Sequence, residues 1–208
     1  MTTGLIAGAR DRLIRLAEAH PGWVLGFQGE VWWSRLARPG LHAWAGGEPL
    51  RLHEPAADAA DTDTDPEAPA CYGLLRGETG GMLLRFVRGR PVSQVTEDFL
   101  AWARERLAAE GKTALLPVWD NAAWHVGKRA RSRIKAHDRR AKAEGGVRTV
   151  ACRLPVKAPW LNAIEPKRVH GKRALVEPQR KLTAAEVVER VCDYYGCEPS
   201  DPITQQVA

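Results

Sequence analysis

The chain has 208 residues, 44% of them hydrophobic and 27% charged, and a net charge of +6. That length suits one domain with a proper core, and that composition excludes a disordered or membrane-embedded chain. The stretch from Glu54 to Glu67 holds six acids and no Lys or Arg, so the remainder is more basic than the total implies and favours a polyanionic partner. Cys71, Cys152, Cys192 and Cys197 form no CxxC pair and have no His at ligand spacing. They read as free thiols in a reducing compartment. No apolar run reaches the ~18 residues of a membrane span, and no signal peptide is recognisable, so a cytoplasmic protein without a membrane partner is expected.

In chain order, Leu5, Ile6, Ala9, Leu13, Leu16 and Ala17 recur at helical spacing, and His20-Pro21-Gly22 stops that helix. Trp23 to Gln28 reads as a buried strand, with Val31-Trp32-Trp33 continuing it beyond Gly29-Glu30. Leu41–Trp44 and Leu50–His53 are short strand candidates. The acidic stretch after them, rich in Asp, Ala, Pro and Thr, has the composition of a mobile surface loop. Cys71–Arg76 and Met82–Val87 flank Gly77–Gly81 as a hairpin. Ser93 is the expected N-cap of a helix reaching about Glu110, with Val95, Phe99, Trp102, Ala103 and Leu107 on one face. Thr113–Trp119 is the next strand, with Asp120 at its end. Pro117 is awkward inside it: either its missing N–H faces an unpaired side, or pairing begins after it. Trp124–Ala143 reads as a basic helix, Val147–Leu154 as a strand, Asn162 to about Val176 as a helix and Thr183–Tyr195 as a last amphipathic helix. The tail after Cys197 is expected to fray. A meander followed by alternating helices and strands implies a mixed sheet with helices packed on it.

Two segments carry chemistry. In Val118-Trp119-Asp120-Asn121-Ala122-Ala123-Trp124-His125 a carboxylate ends an apolar strand where a helix begins, the usual place for function in open α/β sheets. The bland alternative is that Asp120 caps that helix. In Ala158-Pro159-Trp160-Leu161-Asn162-Ala163-Ile164-Glu165-Pro166 a second carboxylate lies in the first turn of a helix. There the bland alternative is a capping box between Asn162 and Glu165. Two carboxylates far apart in sequence suit hard divalent cations and phosphodiester chemistry. Basic residues follow each acid: Lys128, Arg129, Arg131, Arg133, Lys135, Arg139, Arg140 and Lys142 after the first, and Lys167, Arg168, Lys172 and Arg173 after the second. Such density invites phosphate contact, against the alternative of a solvated cationic helix. His125 is a candidate substrate contact or a packed helix-start histidine.

The wording of both segments resembles the DDE transposases of the IS630 / Tc1-mariner superfamily, over about Trp23 to Val176. The resemblance implies an RNase H-like α/β fold, a mixed five-stranded sheet with helices on both faces. It makes Asp120 and Glu165 the second and third catalytic, metal-binding carboxylates, with Asn121, His125 and Asn162 in support. It implies two Mg²⁺ (or Mn²⁺) ions, strand cleavage followed by 3′-hydroxyl strand transfer, DNA partners (transposon ends and target) and a candidate homodimer. From it we expect a remnant linker helix over 1–22, a catalytic domain over 23–180 with an acidic insertion at 54–69, and a helix and tail over 181–208. Family members carry an amino-terminal DNA-reading region, for which only one helix is expected here.

Four positions depart from the family pattern. Ala158 and Ala163 replace a Ser and a Pro, and Arg168 stands where a Trp is usual. The weightiest departure lies in Phe27-Gln28-Gly29-Glu30, where Gly29 occupies the place of the first catalytic Asp. Glu30 would substitute only if a bulge turned it to the other face of the strand. In two-metal chemistry a bridging carboxylate fixes both ions, and losing about 4 kcal/mol of transition-state stabilisation costs roughly a thousandfold in rate. The expected protein is a severely impaired transposase catalytic domain, with an inactive nucleic-acid-binding or transposition-regulating protein of the same fold as the alternative. An active nuclease using Glu30 is the third reading.

Overall fold

The computed structural model describes residues 3–36, 41–45, 48–52, 63–66, 68–89, 92–120, 127–154, 159–175 and 180–204. Helix α1 (Thr3–Ala19) leads into β1 (Trp23–Trp32), which is followed by a separate hairpin, β2 (Leu41–Ala45) and β3 (Glu48–Leu52). Then come β4 (Ala70–Arg76), β5 (Met82–Arg88), α2 (Ser93–Ala109) and β6 (Ala114–Trp119). Helix α3 (Lys128–Glu144), β7 (Arg148–Thr149), β8 (Cys152–Arg153), a 3-10 turn (Pro159–Leu161), α4 (Ile164–Leu175), α5 (Ala184–Tyr195) and β9 (Ile203–Thr204) complete the order. No helix among the described residues is long and apolar enough to cross a membrane.

The main sheet runs β7-β6-β1-β4-β5-β9, with β8 also on β6. Strands β1, β4 and β5 are antiparallel neighbours, while β6 is parallel to β1 and β7 and β8 are parallel to β6. This is the expected RNase H-like arrangement, with seven strands in place of five. Part of the difference is the split of one expected strand into β7 and β8, and Pro117 explains it. The carbonyls of Leu115 and Trp119 accept bonds from Val150 and Leu154 on that side of β6. Alternation along the strand aims Pro117 the same way, where it has no N–H to give, and the ladder breaks there. The other addition is β9, which pairs Ile203 with Val87 at the edge where a frayed tail was expected.

Side chains of alternate β1 residues build two cores. Leu25, Phe27 and Val31, with Trp33 just past the strand, join a cluster with Ile164 of α4 and Val187 and Val191 of α5, against which Leu13 and Ile14 of α1 pack. Val24 joins Tyr72, Leu74, Leu115 and Trp119 in a second cluster with Val95, Phe99 and Leu107 of α2, on which Ile134 of α3 rests. Helices therefore cover both faces: α1, α4 and α5 on the first, α2 and α3 on the second.

Two local expectations change, and one feature is new. Ser93 is the first helical residue and makes no capping bond, since Val92 holds the cap position. Thr183 and Glu186 form a capping box at the start of α5. The acidic stretch is anchored at its end: Asp63 and Asp65 pair with the buried Arg35 at 3.0 and 3.5 Å, and Asp65 accepts the Ala184 N–H at 2.7 Å. Lys181 adds a second cation at 3.0 Å, and Arg35 and Lys181 together hold the Asp63 carboxyl down to about 2.

Candidate active site

The site forms where β1 loses one neighbour. Pairing of β1 with β6 ends at Phe27↔Val118, while pairing with β4 continues to Trp32↔Ala70. Two residues further, the register would set Gly29 beside Asp120. Ala114, Leu116 and Val118 of β6 lie on the first face, and the same alternation carries the exposed Asp120 to that face. The notch between the ends of β1 and β6 is therefore flanked by residues 29 and 120, with α4 above it.

Past Phe27 the β1 carbonyls turned towards the notch have no strand partner, and two side chains of the α4 region satisfy them. Asn162 Nδ2 donates to the Gln28 carbonyl at 3.0 Å, and Arg168 Nη1 donates to the Glu30 carbonyl at 2.9 Å. The capping-box alternative for Asn162 fails, because its side chain reaches β1 and its Oδ1 has no hydrogen-bond partner. The Glu165 N–H bonds instead to the Asn162 backbone carbonyl at 3.1 Å. Asn162 thus fixes the start of α4 to β1 and puts Glu165 in the helix's first turn, over the notch.

Arg168 was expected among the basic residues that contact DNA, but it is not on the surface. It is 5% exposed and lies on the first face of the sheet. Besides the Glu30 carbonyl it pairs with Glu165, Nη1 to Oε1 at 2.9 Å. Its seat is made by two glycines paired across β1 and β4, Gly29↔Gly73. A Cβ on Gly29 would lie 2.6 Å from Nη1, 3.0 Å from Nη2 and 3.2 Å from Cζ of Arg168; one on Gly73 would lie 3.7 Å from Nη2 and 3.1 Å from Ile164 Cδ1. Glycine inside a strand here permits close approach of another group. Nη2 is buried without a hydrogen-bond partner. Gly73 and the contact of Arg168 with Gly29 are the parts of the site that sequence reasoning missed. The available signals were a glycine inside each of two neighbouring strands and an Arg on an otherwise apolar helix face.

Glu30 is on the other face. Its register with Tyr72 belongs to an unbroken one-to-one ladder, with no bulge, and its carboxylate accepts from Gln28 Nε2 at 2.9 Å. Asn121 and His125 lie outside the described residues, as do the side chains of Arg129 and Pro159. Lys128, Arg131, Lys135, Arg139 and Lys142 are exposed in one stripe along α3. Arg133 leans to Glu97 at 3.3 Å. Asp138 does not interrupt the stripe; it accepts the Thr149 N–H at 2.8 Å and ties α3 to β7. Lys167, Lys172 and Arg173 are exposed on α4. The two cationic groups thus sit on opposite faces of the sheet.

No protein-family model matches the sequence, and no curated protein matches it in sequence. Among solved structures it is similar to the catalytic domain of Mos1 mariner transposase, with TM-score 0.55 and 12% identity over 94% of this chain and 79% of that one. The fold is that of a mariner transposase catalytic domain. The likeness extends to the Mos1 paired-end complex with the left transposon end, at TM-score 0.56 and 12% identity over 92% of this chain and 53% of that one. A Mos1 paired-end complex with Mn gives TM-score 0.58 and 11% identity over 92% and 54%. The chain therefore spans about half the length of the Mos1 chains in those complexes. At these identities the likeness is one of fold.

Mos1 complexes have been solved with Mn and with Mg, which makes a divalent ion the occupant to fit to the notch. The residues do not fit one. Gly29 offers no side-chain ligand, a guanidinium covers it, and the Glu165 carboxylate is engaged by that guanidinium. Among the described residues no group of three His, Cys, Asp or Glu could hold a metal.

Proposed function

We propose that this chain is a DNA-binding protein built on the catalytic-domain fold of an IS630-type DDE transposase, severely impaired in strand cleavage. The observation that carries the reading is the composition of the notch. Arg168 lies over Gly29 and pairs with Glu165; on this reading Asp120 and Glu165 hold two of the family's acid positions and Gly29 the third. An ion-binding site for phosphoryl transfer needs anionic oxygens facing an open position, and this one presents a fixed cation. DNA binding is supported by the exposed stripe Lys128, Arg131, Lys135, Arg139 and Lys142, whose spacing suits a run of phosphates.

The test uses the full chain with supercoiled plasmid and with labelled duplex DNA. No nicking above background is expected in Mg²⁺ or Mn²⁺, alongside DNA binding that weakens steeply with salt. Replacing Arg131, Lys135, Arg139 and Lys142 together by Gln should reduce the slope of log K against log salt by up to roughly 3 to 4. Metal-dependent nicking by the wild type that Glu30→Ala abolishes would establish the nuclease reading instead. Absence of any salt-sensitive DNA binding would remove the proposed function.

A further inference from the structure

We propose that the guanidinium of Arg168 is a built-in cation that has replaced a metal ion at this notch, with Gly29 and Gly73 as its seat. The inference rests on the reading of Asp120 and Glu165 as former metal ligands. Three observations around Arg168 converge on it. A Cβ on Gly29 would collide with Nη1 at 2.6 Å, so the missing side chain and the Arg occupy the same space. Nη1 joins the Glu165 carboxylate to the Glu30 carbonyl, two oxygens on separate elements, which is the bridging task of a bound cation. Nη2, buried and unpartnered beside Gly29, leaves a donor aimed where the carboxylate is missing.

A permanently protonated guanidinium neutralises Glu165 and repels a divalent ion at contact range. Restoring a carboxylate at position 29 does not by itself restore a metal site. The guanidinium is the far end of a flexible side chain, so it can shift by the fraction of an ångström that a new Cβ requires. It then pairs with the new carboxylate through the free Nη2, and the metal stays excluded. Both residues must change before an ion can enter.

The experiment is a Mn²⁺ titration of the full chain, monitored by calorimetry and by the ion's paramagnetic resonance, with no DNA present. The variants are wild type, Gly29→Asp, Arg168→Met, the double variant, and the double variant carrying Glu165→Gln. Wild type and both single variants are expected to bind only weakly. The double variant should bind on the order of 10- to 100-fold more tightly, and Glu165→Gln should abolish the gain. Wild type or Gly29→Asp binding Mn²⁺ as tightly as the double variant would overturn the proposal, as would a folded double variant that gains nothing. Thermal unfolding of Gly29→Asp gives a second reading that needs no change at Arg168. Its midpoint should rise above wild type through the new ion pair and stay unmoved by millimolar Mn²⁺. A Gly29→Asp protein that is destabilised and then rescued by Mn²⁺ contradicts the proposal. Failure here leaves salt-dependent DNA binding untouched, so the two readings fall separately.

Discussion

Past Phe27, Asn162 and Arg168 replace β6 as partners of the β1 backbone, and their two bonds differ in what stands behind them. Arg168 brings a charge and a second partner, Glu165, whereas Asn162 brings one amide and leaves its own Oδ1 unsatisfied. Asn162→Ala therefore removes one buried bond and one orphaned acceptor together. We expect a loss of only about 1 kcal/mol, the low end for leaving a buried carbonyl such as that of Gln28 without a donor. Urea unfolding measures it, and a loss above about 3 kcal/mol would mean that Asn162 holds more than this carbonyl. Asn162 and Glu165 were legible because their spacing in one short motif carries the signal. Arg168 was legible only as a basic residue and Gly29 only as a missing acid. Their meeting joins residues on separate elements far apart in the chain, and no local pattern encodes it.

At the scale of elements, short apolar runs announced β1, β4, β5 and β6, because each is buried on both faces or nearly so. Strands β7 and β8 are two residues each, and their break is set by Pro117 on a neighbouring strand, which inspection of residues 147–154 alone does not reveal. Helix α5 is specified locally. The Thr183 hydroxyl accepts the Glu186 N–H at 3.1 Å, the Glu186 carboxylate accepts the Thr183 N–H at 2.7 Å, and Arg180 pairs with that carboxylate at 2.7 Å. Arg180 and the Thr183 N–H hold the Glu186 carboxyl down to about 2, from an ordinary value of 4.5. A lowered carboxyl stabilises the fold above its unfolded pKa and loses that contribution as pH falls to the folded one. Wild type should accordingly lose stability between about pH 4.5 and 2 in part through Glu186, and Glu186→Gln should flatten the fall in that window. Thermal midpoints measured across the window check this, and parallel curves for the two proteins would refute it.

The whole molecule separates its cations. The stripe on α3 belongs to the face of α2, and Lys167, Lys172 and Arg173 on α4 belong to the face of α5. In the sequence each group follows one of the two acids; the sheet between them makes two surfaces. The far edge of the sheet was the least legible part, because Ile203 stands alone among the polar and proline residues of 198–206. There the Arg85 side chain donates to the Asp201 carbonyl at 2.9 Å, and Ile203 and Thr204 pair with Val87 and Arg88. Exposed strand edges recruit other strands, and proteins cover them or blunt them. Deleting residues from 199 onward should leave the monomer folded, yet promote self-association with rising concentration, read by light scattering. A deletion that stays monodisperse would show that β5 is protected by other means. The last described strand, two residues long, should thus act as a guard against aggregation, and colloidal behaviour rather than fold is what its removal is expected to change.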